Sequence, residues 1–152
     1  LEKEVIRKTN VMIEEKQAEI KFDENEDIIV FADDFYIEQV LTNYLTNAIK
    51  NVKEMYGEKY IKISNEINKE EQKVCIKVFN TGKQISEENL NRIWNRFYKA
   101  DESRHREDGG TGIGLAFVKA IMSNYDNKYG VKNLENGVEF YFELDMRQKG
   151  QS

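Results

Sequence analysis

Asn43, Asn47 and Lys50 recur at i, i+4 and i+7. On a helix that spacing projects all three from one face. An amide carbonyl there can ligate Mg²⁺, and an ammonium can meet a phosphate as a point charge. A solvated helix face is also polar, but asparagine is a poor helix former, and Glu, Lys or Gln fills such faces more readily. A second candidate is Asn80-Thr81-Gly82-Lys83-Gln84-Ile85, at the end of a strand-like run. Glycine directly after a strand lets a ligand approach the backbone, and an asparagine both donates and accepts, as reading a purine edge requires. An ordinary Thr-Gly turn would have the same sequence.

The third stretch is Gly109-Gly110-Thr111-Gly112-Ile113-Gly114-Leu115, leading into a helical pattern. Glycine costs backbone entropy on folding, so this density suits backbone N–H groups that wrap a phosphate at a positive helix N-terminus. A flexible hinge is the alternative. No lysine follows the last glycine, so this is not the nucleotide P-loop. No strand precedes it, so it is not the dinucleotide fingerprint either. Between the second and third stretches lies Arg92-Ile93-Trp94-Asn95-Arg96-Phe97-Tyr98-Lys99-Ala100-Asp101. Its aromatics at near-helical spacing read as core, and its charges as surface. His105 is the only histidine and Cys75 the only cysteine, which leaves no zinc spacing and no Ser-His-Asp or Cys-His arrangement.

Several elements must position these residues. Leu1 to about Ala18 reads as a helix, Glu19–Phe22 as extended, and Ile28–Ala32 as a buried strand. Asp33 and Asp34 offer N-cap chemistry for a long helix to about Met55, ended by Gly57. Its stripe of Ile37, Leu41, Tyr44, Leu45, Ala48 and Val52 is the core face. Strands follow at Tyr60–Ser64 and Val74–Val78, joined through the polar run Asn68–Gln72. Ser86 caps a short helix from Glu87 to Phe97. A charged, glycine-ended loop spans Lys99 to Gly112, and a helix runs from about Ile113 to Asn124. Two last strands, Gly130–Leu134 and Val138–Leu144, join through Glu135-Asn136-Gly137. The order implies one mixed sheet with helices layered on it.

Composition sets outer bounds. At 152 residues the chain has room for one domain with a real core. Its 23 Lys and Arg against 28 Asp and Glu leave a net charge of −5, with none of the basic balance of a nucleic-acid binder. No apolar run is long enough to span a bilayer as a helix, and no signal peptide is visible. A single thiol allows no internal disulfide and fits a reducing compartment. A chain that begins with Leu1 is expected to be a fragment or a processed product.

In their order and spacing, these motifs resemble the ATP-binding catalytic domain of bacterial sensor histidine kinases. Asn43-Tyr44-Leu45-Thr46-Asn47-Ala48-Ile49-Lys50 resembles their N box, Asn80-Thr81-Gly82 their first glycine box, Arg92 to Asp101 their F box, and Gly110 to Leu115 their second glycine box. The resemblance covers nearly the whole chain and belongs to the superfamily shared with gyrase and MutL ATPases. It implies the Bergerat fold, a two-layer α/β sandwich of a mixed sheet and helices with a mobile ATP lid. The catalytic ATP-binding domain would occupy residues 1–147, and 148–152 a polar tail. The ligands implied are ATP and Mg²⁺.

Carried over residue by residue, the resemblance gives Asn47 the Mg²⁺, and sets Asn43 and Lys50 near the phosphates. Gly110, Thr111, Gly112, Ile113, Gly114 and Leu115 take the phosphate loop. Asn80, Gly82 and Ile85 fall on the base side. Phe97 resembles the lid anchor, and Lys99 the basic residue that meets the γ-phosphate. Asn43, Lys50 and Lys99 are the residues implied for catalysis. Three positions depart from the pattern: Asn80 replaces an aspartate that binds the adenine amino group, Gln84 replaces the second glycine of its box, and Asn51 stands where an aromatic often follows the lysine.

The implied activity is that of a protein-histidine kinase. It donates the γ-phosphoryl of ATP to a histidine on the separate dimerisation domain of the same sensor kinase, and thence to a response regulator. The implied location is a cytoplasmic domain of a membrane-anchored parent, with no membrane insertion by this domain and no nucleic-acid partner. The acceptor histidine motif does not occur in the chain. Two rivals stand beside this reading: a hydrolytic or protein-serine kinase member of the superfamily, and a nucleotide-binding module that only docks and signals. Hydrolytic relatives place a glutamate where Asn43 stands, and an amide cannot take a proton from water. The lid glycines argue against the second rival.

Overall fold

The structure, a computed structural model, describes residues 19–22, 34–95, 114–125 and 127–145. In chain order these form β1 (Glu19–Phe22), α1 (Asp34–Asn51), β2 (Tyr60–Asn68), β3 (Lys73–Thr81), a 3₁₀ turn (Arg92–Trp94), α2 (Gly114–Tyr125), β4 (Tyr129–Leu134) and β5 (Gly137–Asp145). The expected helix over Leu1–Ala18, the strand over Ile28–Ala32, the lid and the tail lie outside the described residues.

The sheet order is β1-β2-β3-β5-β4. β1 runs parallel to β2, and the other neighbours are antiparallel. The sheet is therefore mixed, as the element order implied. Alternation sets its two faces. Val74, Ile76 and Val78 on β3, and Val138, Phe140, Phe142 and Leu144 on β5, are buried. The residues between them on the other face include Lys77, Glu139 and Tyr141, all partly exposed.

α1 supplies the layer over the buried face. All six expected stripe residues are buried, and Val40 and Ile49 join them, a wide apolar stripe of the kind a core-facing helix needs. Val118, Ile121 and Met122 of α2 enter the same cluster. Tyr44 is fully buried, and its hydroxyl donates to the Tyr141 carbonyl (3.0 Å), so the polar end of the ring is satisfied. Burial holds its phenol well above the ordinary tyrosine range, and Tyr129, Tyr141 and Cys75 push the same way.

Two local expectations change. α1 ends at Asn51, not near Met55, because the Lys53 amide bonds to the Thr81 carbonyl of β3 (2.9 Å) and leaves the helical ladder. Gly57 instead serves a tight turn with Tyr56 (φ +83° and +53°), closed by paired bonds between Met55 and Glu58 (2.8 and 3.0 Å). Of the helix expected from Glu87 to Phe97, the described part, residues 87–95, is a series of turns that contains the 3₁₀ turn. Asn89, Arg92 and Asn95 each donate three residues back, at 2.9 to 3.0 Å. Asn89, Asn91 and Asn95 are poor helix formers, and among the described residues here only Leu90, Ile93 and Trp94 offer apolar anchors.

Candidate nucleotide-binding site

The three polar residues of α1 lie on one face, as their spacing required. Asn43, Asn47 and Lys50 are all half-buried. Lys50 stands in the last turn, where a cation also suits the negative end of the helix.

Gly114, the first residue of α2, lies against that face. A Cβ built on it would stand 3.0 Å from Asn43 Oδ1. A side chain there would push Asn43 Oδ1 aside by a few tenths of an ångström, so glycine lets the start of α2 sit this close to the amide. The N-terminal end of α2, where a helix's first amides have no intrahelical partners, is thus held beside Asn43. Leu115, next in the chain, packs partly buried against the core.

Asn47 is held from the other direction. The Asn51 amide donates to the Asn47 carbonyl oxygen (2.8 Å) and to Asn47 Oδ1 (3.2 Å). A carbonyl oxygen has two lone pairs, so Oδ1 keeps one acceptor direction for a further partner. Asn43, Asn47 and Asn51 form a row at i, i+4 and i+8 along the helix.

The end of β3 closes on the C-terminal end of this row. A Cβ on Gly82 (φ +149°) would meet the Asn51 carbonyl at 2.8 Å and the Lys53 amide at 3.6 Å. Asn80 is buried, and its Nδ2 donates to the Thr81 carbonyl (3.0 Å). That bond commits one of the amide's two N–H donors to its own chain and fixes the side chain's orientation, with Oδ1 as its acceptor. Thr81 is also buried, and its hydroxyl accepts from the Tyr60 amide (3.0 Å) and donates to the Tyr60 carbonyl (3.3 Å). The Asn43 and Asn51 levels are separated by about 12 Å of helix at 1.5 Å per residue. The α2 start with Asn43 marks one end of this span, and Asn80 with Gly82 the other.

Ile85 is partly buried against the core, and its backbone is held by the Asn133 side chain. Phe97, Lys99, Gly110, Thr111, Gly112 and Ile113 lie outside the described residues. Hollows among the described residues also lie away from this span. One of about 550 Å³, lined by Glu66, Lys73, Cys75 and Glu143 among others, lies at the opposite end of β3 from Asn80 and holds none of the motif residues. No group of three or more His, Cys, Asp or Glu among the described residues is placed to hold a metal ion. The donor set at Asn47 is a single neutral oxygen, which suits a metal that brings phosphate and water oxygens with it.

Sequence reasoning missed Asn51, Thr81 and Asn133 as working parts. Asn133 did leave a signal: it continues the Val131 side of β4, where an apolar residue would be expected. Asn51 was noted only as a departure, although its spacing from Asn47 was readable.

An open mixed sheet with a helix layer on one face defines the chain as a two-layer α/β sandwich. The family model for "Histidine kinase-, DNA gyrase B-, and HSP90-like ATPase" matches residues 32–148. The sensor histidine kinase YkoH of Bacillus subtilis (strain 168) is 37% identical over 110 residues, 72% of this chain and 23% of that protein. The catalytic domain of histidine kinase ThkA superposes with a TM-score of 0.79 at 32% identity, covering 95% of this chain and 89% of that one. Histidine kinase ThkA in complex with the response regulator TrrA gives a TM-score of 0.73 at 30% identity, over 98% of this chain and 40% of that one. The chain belongs to this ATPase family, as a histidine-kinase catalytic domain. It spans about a quarter of the length of the curated relatives it matches, 23% and 22% for the first two. No helix among the described residues is long and apolar enough to cross a membrane.

Proposed function

We propose that this domain binds ATP with Mg²⁺ and donates the γ-phosphoryl group to a histidine on a separate helical dimerisation domain of the same sensor kinase. A response-regulator aspartate then receives it. The observation that carries the reading is the approach of Gly114 to Asn43 Oδ1, which sets the last glycine of the phosphate loop against the polar face of α1.

Phosphoryl transfer asks mainly for positioning and charge neutralisation. Lys50 and Lys99 supply cationic charge, and the amides of Gly110, Gly112 and Gly114 supply donors at a helix N-terminus. Thr111, Ile113 and Leu115 complete the loop that holds the phosphates, with Phe97 anchoring the lid. Asn47 offers Mg²⁺ one neutral carbonyl oxygen, and when bound the metal neutralises phosphate charge. Asn80 Oδ1 accepts from the adenine amino group, with Gly82 and Ile85 lining the base side. Asn43 gives water no base, so transfer to a partner histidine is favoured over hydrolysis. ThkA, solved with its response regulator, supports the regulator as the eventual recipient. The parent is a membrane-anchored sensor whose catalytic domain is cytoplasmic.

The test is radiolabelled ATP with the chain alone, then with a histidine-bearing helical domain from the same parent. Alone, the chain binds ATP with almost no turnover. With the partner, an acid-labile, base-stable label appears on the partner, weakly, since no tether raises the effective concentration. An acid-stable label on serine or threonine, or brisk hydrolysis without partner, overturns the reading.

A further inference from the structure

The turn after β3 is fixed from the far side of the sheet. The Ile85 amide donates to Asn133 Oδ1 (2.9 Å), and Asn133 Nδ2 donates to the Ile85 carbonyl (2.7 Å). Gln84 Nε2 donates to the Leu134 carbonyl (2.6 Å), and the Gly82 amide to the Asn136 carbonyl (3.1 Å). Asn80 and Asn133 both pair with Val138, one from each side of β5. They therefore share one row and one face, roughly 10 Å apart at two strand spacings. The segment from Gly82 to Ile85 crosses the end of β5 and is tied to β4.

We propose that the β4–β5 hairpin is part of the base-side wall of the nucleotide site, with Asn133 as the residue that positions the 82–86 turn. This rests on the ATP-site reading above. The backbone of Ile85 is outside every strand, so its donor and acceptor need partners from elsewhere. One amide side chain supplies both, as a neighbouring strand would. Aspartate at this position would lack the donor. A turn held in this way is ordered before the base arrives, so binding need not order it. The same ties give Gln84, which departs from the glycine pattern, a structural purpose. Fixing the turn also fixes Asn80 and Gly82 relative to the base, and so sets discrimination between bases more than affinity for phosphates.

The experiment titrates the chain and its Asn133→Ala, Asn133→Asp and Gln84→Ala variants with ATP, GTP and inorganic tripolyphosphate, and follows amide exchange at Ile85. Asn133→Ala is expected to weaken ATP binding by roughly thirtyfold, the equivalent of two ordinary hydrogen bonds. It should narrow the ATP-over-GTP ratio, leave tripolyphosphate affinity unchanged and speed exchange at Ile85. Asn133→Asp keeps the acceptor for the Ile85 amide and should fall between wild type and Asn133→Ala. Gln84→Ala removes only an exposed tie, so its fold is preserved. It should shift ATP in the same direction by a few-fold. Equal weakening of ATP and tripolyphosphate, or an ATP-over-GTP ratio that no variant moves, overturns the positioning role while the ATP reading stands. A wild-type chain that binds tripolyphosphate but does not prefer ATP overturns the base-site reading itself.

Discussion

Gly114 and Asn43 are in contact: a methyl group on the glycine would stand 3.0 Å from the asparagine's side-chain oxygen. Two motifs that are 71 positions apart in the chain meet at this point. The contact joins the N-terminal end of α2 to the polar face of α1.

The pair predicts a measurable coupling. Gly114→Ala should destabilise the wild-type chain by about 1 kcal/mol through crowding of Asn43. In an Asn43→Ala background the crowded oxygen is gone, and the same change should be neutral or stabilising because alanine is the better helix former. Denaturant unfolding of the four proteins gives the coupling energy. Additive effects would mean that the two residues do not touch.

Metal dependence is expected to divide between Asn47 and Asn51. Asn47→Ala should lose most of the Mg²⁺ enhancement of ATP binding and stay folded. Asn51→Ala should weaken the Mg²⁺ effect only partly, since it frees the orientation of the Asn47 amide without removing the ligand. Calorimetry with and without EDTA reads both. Tight Mg²⁺ binding by the chain without nucleotide would contradict the single neutral donor at this site.

Asn80→Asp should move stability and affinity in opposite directions. The substitution removes the donor that Asn80 gives the Thr81 carbonyl (3.0 Å), a loss of about 1 kcal/mol. It also offers the adenine amino group a charged acceptor, which makes a hydrogen bond roughly twice as strong as a neutral one. Thermal melting should fall without nucleotide, while ATP binds as tightly as before or more tightly. Clearly weaker ATP binding would separate Asn80 from the base.

Cys75 gives a pH-dependent readout that is independent of nucleotide. Burial, its largest influence, raises the thiol from 9.0 to about 11, with Lys77 pulling the other way. At pH 8 the thiolate fraction is then about a hundredfold below that of an unperturbed thiol. Alkylation by iodoacetamide should slow accordingly in the folded chain and recover in denaturant. The folded value is raised, so this contribution to stability is complete below pH 9. It is lost as pH rises from the unfolded value through the folded one. A native thiol that alkylates at the denatured rate at pH 8 would show that the shift is absent.

How legible the chain was depended on how far each signal reached along the sequence. The α1 stripe and the strand alternation repeat over many residues, so the core face of α1 and the alternation of the strands could be read before any tertiary contact was known. Boundaries set by distant partners could not. Nothing near Asn51 says that the next free amide, Lys53, will turn to Thr81. The turns over residues 87–95 fall where the sequence predicts a helix from Ser86-capped Glu87 to Phe97; Asn89, Asn91 and Asn95 carry the opposite signal, and it outweighs the cap. Within the site, Asn43, Asn47 and Lys50 were readable as a group because one helix carries them all. Asn133 was not, since its partner lies 48 positions away.

The corner where α1, β3 and the β4–β5 turn meet is held by bonds between residues far apart in the chain. Lys53 reaches Thr81, Tyr60 reaches Thr81, and Gly82 reaches Asn136. The Tyr60–Thr81 bond closes the end of the β2–β3 hairpin, whereas loop-closure entropy must be overcome before the Lys53–Thr81 and Gly82–Asn136 bonds can form, so docking at this corner is expected to follow the β2–β3 and β4–β5 hairpins. A partly folded chain that holds those hairpins but has not docked them therefore has no place for the base. On the proposed reading, ATP would then act on the folding equilibrium as well as on the site, and thermal melting should rise with ATP concentration.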